Sequence, residues 1–286
     1  MRVAILGTGK MGGAIARRLN ETGHELVLWN RTKSRAEALA IGRVASTPAE
    51  AVEEADVVVS ILTDGGAVRA AYLGDGGAAR AARNQVFIEM STAGPEVVSE
   101  MKPAIERAGA KFVECPVSGS IGAMESGKGI IYAAGDDDAI DRARPVLDAL
   151  GEMRRIKDPE AAAKLKLIAN TMLAGVSALG AELLAAGQVA GVETEDVFWV
   201  LNRFAPVLAA RRAGYVDHIY EPVTFALRDA AKDVRLAMEV YRKAGASTPI
   251  TDAVKDLYDR AAKTAGDLDM AAIMTVYEKQ PVERRS

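Results

Sequence analysis

The chain has 286 residues, 49 % hydrophobic and 26 % charged, with a formal net charge of −3 at pH 7. That length allows two packed domains, and the slight acidic balance argues against a nucleic-acid surface, which needs a clustered basic excess. No apolar run approaches the roughly 20 residues needed to cross a bilayer, and the lone Cys115 excludes an intrachain disulfide framework. His24 and His218 lie far apart without a patterned carboxylate partner, which speaks against a zinc site or a Ser-His-Asp triad. The first residues resemble a signal sequence only briefly, because Gly7-Thr8-Gly9 interrupts them and no cleavage site follows. A cytoplasmic location is expected.

The first apolar run, 2–6, reads as a strand and leads into Gly7-Thr8-Gly9-Lys10-Met11-Gly12, which opens a helical pattern over 14–22. This is the dinucleotide-binding pattern: the first glycine for a tight turn, the second for approach of backbone to pyrophosphate, the third for close helix–strand packing. The phosphates then meet the free N–H groups at the helix N-terminus.

A second strand, 25–29, ends at Asn30-Arg31-Thr32, where an NAD-preferring site places a carboxylate for the ribose hydroxyls. Here Asn30 is neutral, and Arg31, the Thr32 hydroxyl and Arg35 suit a 2′-phosphate. NADP(H) is therefore expected over NAD(H). A helical stretch over 32–40 follows. Further strands are expected near 57–62, 86–90, 112–116 and 130–134, with a short one near 153–156. Leu62 and Thr63, where the 57–62 strand ends, are counted among the cofactor-binding residues. Strands alternating with helices imply crossover units and a mainly parallel, Rossmann-type α/β sheet covered on both faces.

From about Pro159 to Ala190 the pattern changes. Leu165, Ile168, Met172, Val176, Leu179 and Leu183 recur at three- and four-residue spacing and predict an amphipathic helix. About 30 residues of helix would run about 45 Å, enough to link two domains and form the spine of the second. More helices are expected near 194–202, 224–243, 248–264 and 269–279. The reading is a dinucleotide-binding domain over 1–159 and an all-helical substrate and oligomerisation domain over 160–286.

On that long helix Lys166 and Asn170 are four residues apart and share a face. Spacing alone is equally served by a lysine facing solvent. Lys164 is the competing lysine, but its four-residue neighbour is Ile168. Read alone, Thr92 is a helix N-cap before Pro95, Ser118 a turn serine and Cys115 a small buried residue.

Several segments taken together change those readings. The glycine motif with Met11 before Gly12, Glu89-Met90-Ser91-Thr92, Pro116-Val117-Ser118-Gly119-Ser120, Lys166-Leu167-Ile168-Ala169-Asn170, and Lys232-Asp233 after Phe225-Ala226-Leu227 occur in one order along the chain. In this the chain resembles the β-hydroxyacid dehydrogenase family. That family includes 3-hydroxyisobutyrate dehydrogenases, tartronate semialdehyde reductases and 6-phosphogluconate dehydrogenases. Trp29-Asn30-Arg31-Thr32, Lys164–Ile168, Lys232–Ala237 and Gly266-Asp267-Leu268-Asp269 are similar to its NADP-linked glyoxylate/succinic semialdehyde reductase and L-serine dehydrogenase branch.

The resemblance implies that Thr92 and Lys232 approach the cofactor. Ser118, Gly119, Ser120 and Asn170 would bind a small carboxylate-bearing substrate, and Lys166 would be the general acid/base assisted by Asn170. It also implies a homodimer or homotetramer. Two departures bear on the substrate: Glu160-Ala161-Ala162-Ala163 stands where the family carries glycines, and Ser120-Ile121-Gly122-Ala123 replaces a more basic stretch. The competing functions are an imine reductase on the same scaffold, in which the lysine is commonly replaced, and a catalytically silent NADP(H)-binding interaction module.

Overall fold

The computed structural model describes residues 1–277. The chain divides into two compact units, Met1–Lys166 and Leu167–Ser286.

The first unit begins with β1 (Arg2–Leu6), α1 (Lys10–Glu21), β2 (Glu25–Trp29), α2 (Lys33–Glu37), β3 (Arg43–Val44) and α3 (Pro48–Val52). It continues through β4 (Val57–Ser60), α4 (Gly65–Leu73), β5 (Val86–Glu89), α5 (Pro95–Arg107) and β6 (Lys111–Glu114). Then come β7 (Val117–Ser118), α6 (Ile121–Glu125), β8 (Gly129–Gly135), α7 (Asp137–Leu150) and β9 (Gly151–Arg155). The sheet order is β3-β2-β1-β4-β5-β6-β8-β7, with β9 beside β8. Strands β1 to β6 pair in parallel. β8 runs antiparallel to both β6 and β7, and parallel to β9. The order β3-β2-β1-β4-β5-β6 is that of a doubly wound dinucleotide fold, whose ligands bind outside the carboxyl ends of the strands.

The central strands β1, β4 and β5 are apolar except at their ends, where Arg2, Ser60 and Glu89 stand, because both faces are covered. Val3 and Ile5 enter one core cluster while Ala4 and Leu6 enter another. This two-sided burial is what the continuous Val57-Val58-Val59 run requires. Arg17 on α1 holds Glu125 on α6 at 2.6 Å, which ties the first helix to the short helix after β7.

Helix α8 (Pro159–Val189) carries the chain from the first unit into the second. Proline opens it, and Asp158 Oδ1 accepts from Ala161 N at 2.8 Å, which fixes its start. The second unit continues with α9 (Thr194–Phe204), a 3₁₀ segment over Pro206–Arg211, α10 (Arg212–Val216), α11 (Leu227–Lys243), α12 (Pro249–Ala265) and a 3₁₀ segment over Met270–Val276. The last replaces the α-helix expected over 269–279, of which residues 278 and 279 lie outside the described residues. Leu184, Phe198, Tyr215, Leu227, Val234 and Tyr258 are among the residues of its core.

The large apolar stripe of α8 is mostly exposed, with Leu165 and Val176 half-buried. Ile168, Met172, Leu179 and Leu183 are 41–67 % exposed, whereas Leu167, Ala174, Ser177, Ala178, Ala181 and Leu184 are buried. Small side chains let neighbouring backbones approach closely, so the packed face is the alanine-rich one. One expectation changes: by length and composition this helix is apolar enough to cross a bilayer. Its alanine face is nevertheless committed to the helical core.

Candidate active site

The glycine loop leaves β1 in a conformation other residues resist. Gly7 has φ +103°, and a Cβ there would lie 2.3 Å from the Ile61 carbonyl oxygen. A Cβ on Gly12 would lie 2.0 Å from the Gly7 carbonyl, so α1 packs directly against its own loop. Gly9 is the N-cap of α1, no side chain caps that end, and a Cβ there would meet nothing within 4 Å. Nothing at Gly9 therefore obstructs the approach of a ligand to the backbone at this helix end.

Thr8 N donates to Asn30 Oδ1 at 3.0 Å, and Asn30 Nδ2 donates to the Thr32 carbonyl at 2.9 Å. Asn30 thus braces the loop against the end of β2. The Thr8 hydroxyl oxygen is buried without a hydrogen-bond partner among the described residues. A buried hydroxyl beside a helix N-terminus that no side chain caps fits a pyrophosphate, and these residues accommodate a dinucleotide.

Lys10 is exposed and Met11 half-buried against the core. Arg31, Thr32 and Arg35 are exposed at the start of α2, and neither arginine makes an ion pair among the described residues. Leu62 N donates to Ser91 Oγ at 2.7 Å, joining the loop after β4 to the loop after β5. Thr63 is exposed and Thr92 half-buried. The N-cap of α5 is Gly94, so Thr92 is not the helix cap that its position before Pro95 allowed.

Beneath these loops Glu89, read only as the start of a motif, meets a second buried acid that the sequence reading did not name. Glu89 and Glu114 are register partners on β5 and β6, both buried. Glu89 accepts from Ser60 Oγ at 2.7 Å and Ser91 N at 2.8 Å. Burial pushes the Glu89 carboxyl up against those hydrogen bonds. It pushes Glu114 well above the ordinary range, with the Glu89 charge adding to the effect. Burial also raises the Cys115 thiol well above its ordinary value, so this cysteine is an unreactive core residue.

The substrate segment lies on β7 and the turn after it. Ser118 is half-buried while Gly119 and Ser120 are exposed. Ser120 Oγ accepts from Ala123 N at 3.1 Å and caps α6. Lys166 Nζ lies 3.5 Å from Ser118 Oγ, and Tyr132 donates to the same oxygen at 3.1 Å. Tyr132 was not singled out from the sequence. Lys164 instead donates to Glu160 at 3.1 Å in a half-exposed pair.

One turn beyond Lys166, Asn170 Nδ2 donates to Asp233 Oδ2 at 2.6 Å. Lys232 Nζ lies 3.0 Å from Asp233 Oδ1, and Asp233 is 3 % exposed. Asp233, read only as part of a motif, is thus the buried anchor of both expected site residues.

A glycine loop at the switch from strand to helix, and a lysine held at a serine near the strand ends, define a dinucleotide-binding protein of the doubly wound class. Residues 2–168 match the family described as the NAD binding domain of 6-phosphogluconate dehydrogenase. Residues 161–277 match that described as NAD-binding of NADP-dependent 3-hydroxyisobutyrate dehydrogenase. The chain belongs to the β-hydroxyacid dehydrogenase family, in its 3-hydroxyisobutyrate dehydrogenase-like part.

Glyoxylate/succinic semialdehyde reductase 1 of Arabidopsis thaliana is 29 % identical over 96 % of this chain and 97 % of its own. The cytokine-like nuclear factor N-PAC of Danio rerio is 30 % identical over 96 % of this chain, but the chain spans only 62 % of that longer protein. A solved structure of Mycobacterium tuberculosis 3-hydroxyisobutyrate dehydrogenase with L-serine is 26 % identical, covers 96 % of this chain and 98 % of its own, and superposes with a TM-score of 0.84.

Proposed function

We propose that the protein is an NADP(H)-dependent oxidoreductase that moves a hydride between nicotinamide and a small β-hydroxy acid, semialdehyde or keto acid. The observation that carries this reading is the placement of Lys166 Nζ 3.5 Å from Ser118 Oγ, on a fold that also presents a dinucleotide loop. When bound, the nicotinamide supplies or accepts the hydride at the substrate carbon. In reduction the Lys166 ammonium gives its proton to the carbonyl oxygen, and in oxidation the neutral amine takes the hydroxyl proton. Ser118 and the backbone of Gly119 and Ser120 offer donors to the substrate carboxylate, and Asn170, held by Asp233, orients the reacting end.

Gly7, Thr8, Gly9, Lys10, Met11 and Gly12 would hold the pyrophosphate, with Leu62, Thr63 and Thr92 completing the first unit's part of the cofactor site. Arg31 and Arg35, with Thr32 and without a neighbouring carboxylate, favour NADP(H) over NAD(H). The exposed Ile168, Met172, Leu179 and Leu183 support a homo-oligomer. A spectrophotometric panel of glyoxylate, succinic semialdehyde, 3-hydroxyisobutyrate and L-serine with NADPH or NADP tests the reading. Turnover of one or more is expected, and cofactor binding without turnover of any overturns it.

That second outcome would favour a cofactor-binding interaction module without chemistry. The similarity to N-PAC, a nuclear factor by name, is the observation on its side.

A further inference from the structure

Ser118 on β7 stands opposite Ile130 on β8, which places Tyr132 at the diagonal position two residues along the same face. Diagonal neighbours in an antiparallel pair lie within reach of an aromatic side chain. The Tyr132 ring is half-buried, its backbone N–H is held by the Pro116 carbonyl at 3.1 Å, and its hydroxyl donates to Ser118 Oγ at 3.1 Å. Lys166 Nζ approaches the same oxygen at 3.5 Å. A serine hydroxyl has two lone pairs and one proton, and an ammonium group can only donate. In the arrangement in which Tyr132 and Lys166 both donate, the lone pairs of Ser118 are occupied and its single proton is left to point at another acceptor.

We propose that Tyr132 is a positioning residue that holds the Ser118 hydroxyl as an outward donor, selecting a substrate that presents an anionic oxygen beside Lys166. The inference rests on the oxidoreductase reading for its chemistry, but its binding claim can be tested without turnover. Without Tyr132 the hydroxyl is free to rotate and to donate or accept, so carboxylate affinity falls while the proton carried by Lys166 is untouched. The phenylalanine variant keeps the ring and its packing, which separates the hydroxyl's role from that of the aromatic body.

The probe is 3-hydroxyisobutyrate titrated calorimetrically into NADPH-loaded protein, a pair that cannot exchange a hydride. Tyr132→Phe is expected to weaken binding about three- to tenfold, as for loss of one hydrogen bond. The Tyr132→Phe, Ser118→Ala double variant is expected to bind no more weakly than Ser118→Ala alone, because the tyrosine acts only through the serine. With whichever panel compound turns over, Tyr132→Phe is expected to raise KM by a similar factor and leave kcat within about twofold. Wild-type affinity in Tyr132→Phe, additive losses in the double variant, a fall in kcat at unchanged KM, or no saturable probe binding to the wild type would each overturn the proposal. Tyrosine-sensitive binding without turnover of any compound would instead overturn the oxidoreductase reading and leave this one standing.

Discussion

Glu114 stands directly opposite Glu89 in the register of β6 against β5, and both carboxyls are buried where the strands end. Both are shifted upward, first by burial. A carboxyl whose folded pKa is raised holds its proton after the unfolded chain has released it. Its contribution to stability is therefore full below the ordinary carboxylate range and lost as pH rises through the folded value. Glutamine at position 114 mimics the protonated acid at every pH. Glu114→Gln is expected to melt higher than the wild type at pH 8, with the gap closing towards pH 5. Melting curves between pH 5 and 8 check this, and a gap independent of pH contradicts it.

Asp269 provides the opposite case. Burial pushes its carboxyl up, but the Arg211 guanidinium at 2.9 Å and hydrogen bonds from Thr224 and Phe225 outweigh that and hold it below the ordinary range. Its contribution is present at neutral pH and lost as pH falls through the depressed folded value. Asp269→Asn leaves Arg211 without its buried partner, and such a loss costs roughly 3–5 kcal/mol. Urea unfolding at pH 7 should show a loss of that order, shrinking below pH 4.

Cofactor choice should turn on Arg31. Charge-assisted hydrogen bonds contribute roughly 1.5–3 kcal/mol, so Arg31→Asp is expected to weaken NADPH binding at least tenfold and NADH binding far less. Fluorescence titration with both cofactors measures it. Equal losses would show that Arg31 does not contact a 2′-phosphate.

The exposed apolar stripe of α8 calls for a partner surface. Light scattering at micromolar concentration is expected to give a multiple of the 30.2 kDa chain mass. Glutamates at Met172 and Leu179 are expected to lower that value. A wild-type mass of one chain would show that the stripe is simply solvated.

The sequence carried the architecture well where a physical period was long enough to register. Continuous valine runs marked the central strands, and Gly7 to Gly12 marked the loop, because few other residues fit those backbone positions. Two strands, Arg43–Val44 and Val117–Ser118, are too short to show any alternation. On α8 the large apolar residues do not mark the packed face, since alanine weighs little on a hydrophobicity scale yet packs closest. Lys166 was legible from its place among motifs, whereas Tyr132 and Asp233 were not. Their roles come from a diagonal across β7 and β8 and from a contact between α8 and α11, neither of which spacing along the chain displays.

The central claim is that Lys166 moves the proton. General acid–base catalysis contributes about 10²–10⁴-fold, so Lys166→Ala should lower single-turnover NADPH oxidation by that order. NADPH affinity should be little changed, because the glycine loop is untouched. Lys164→Ala is the matched control: it deletes the same charge two residues away, where the side chain pairs with Glu160 on the surface. The account predicts a crippled Lys166→Ala beside a near-normal Lys164→Ala. Near-normal turnover in Lys166→Ala, or loss of turnover in Lys164→Ala instead, would contradict it.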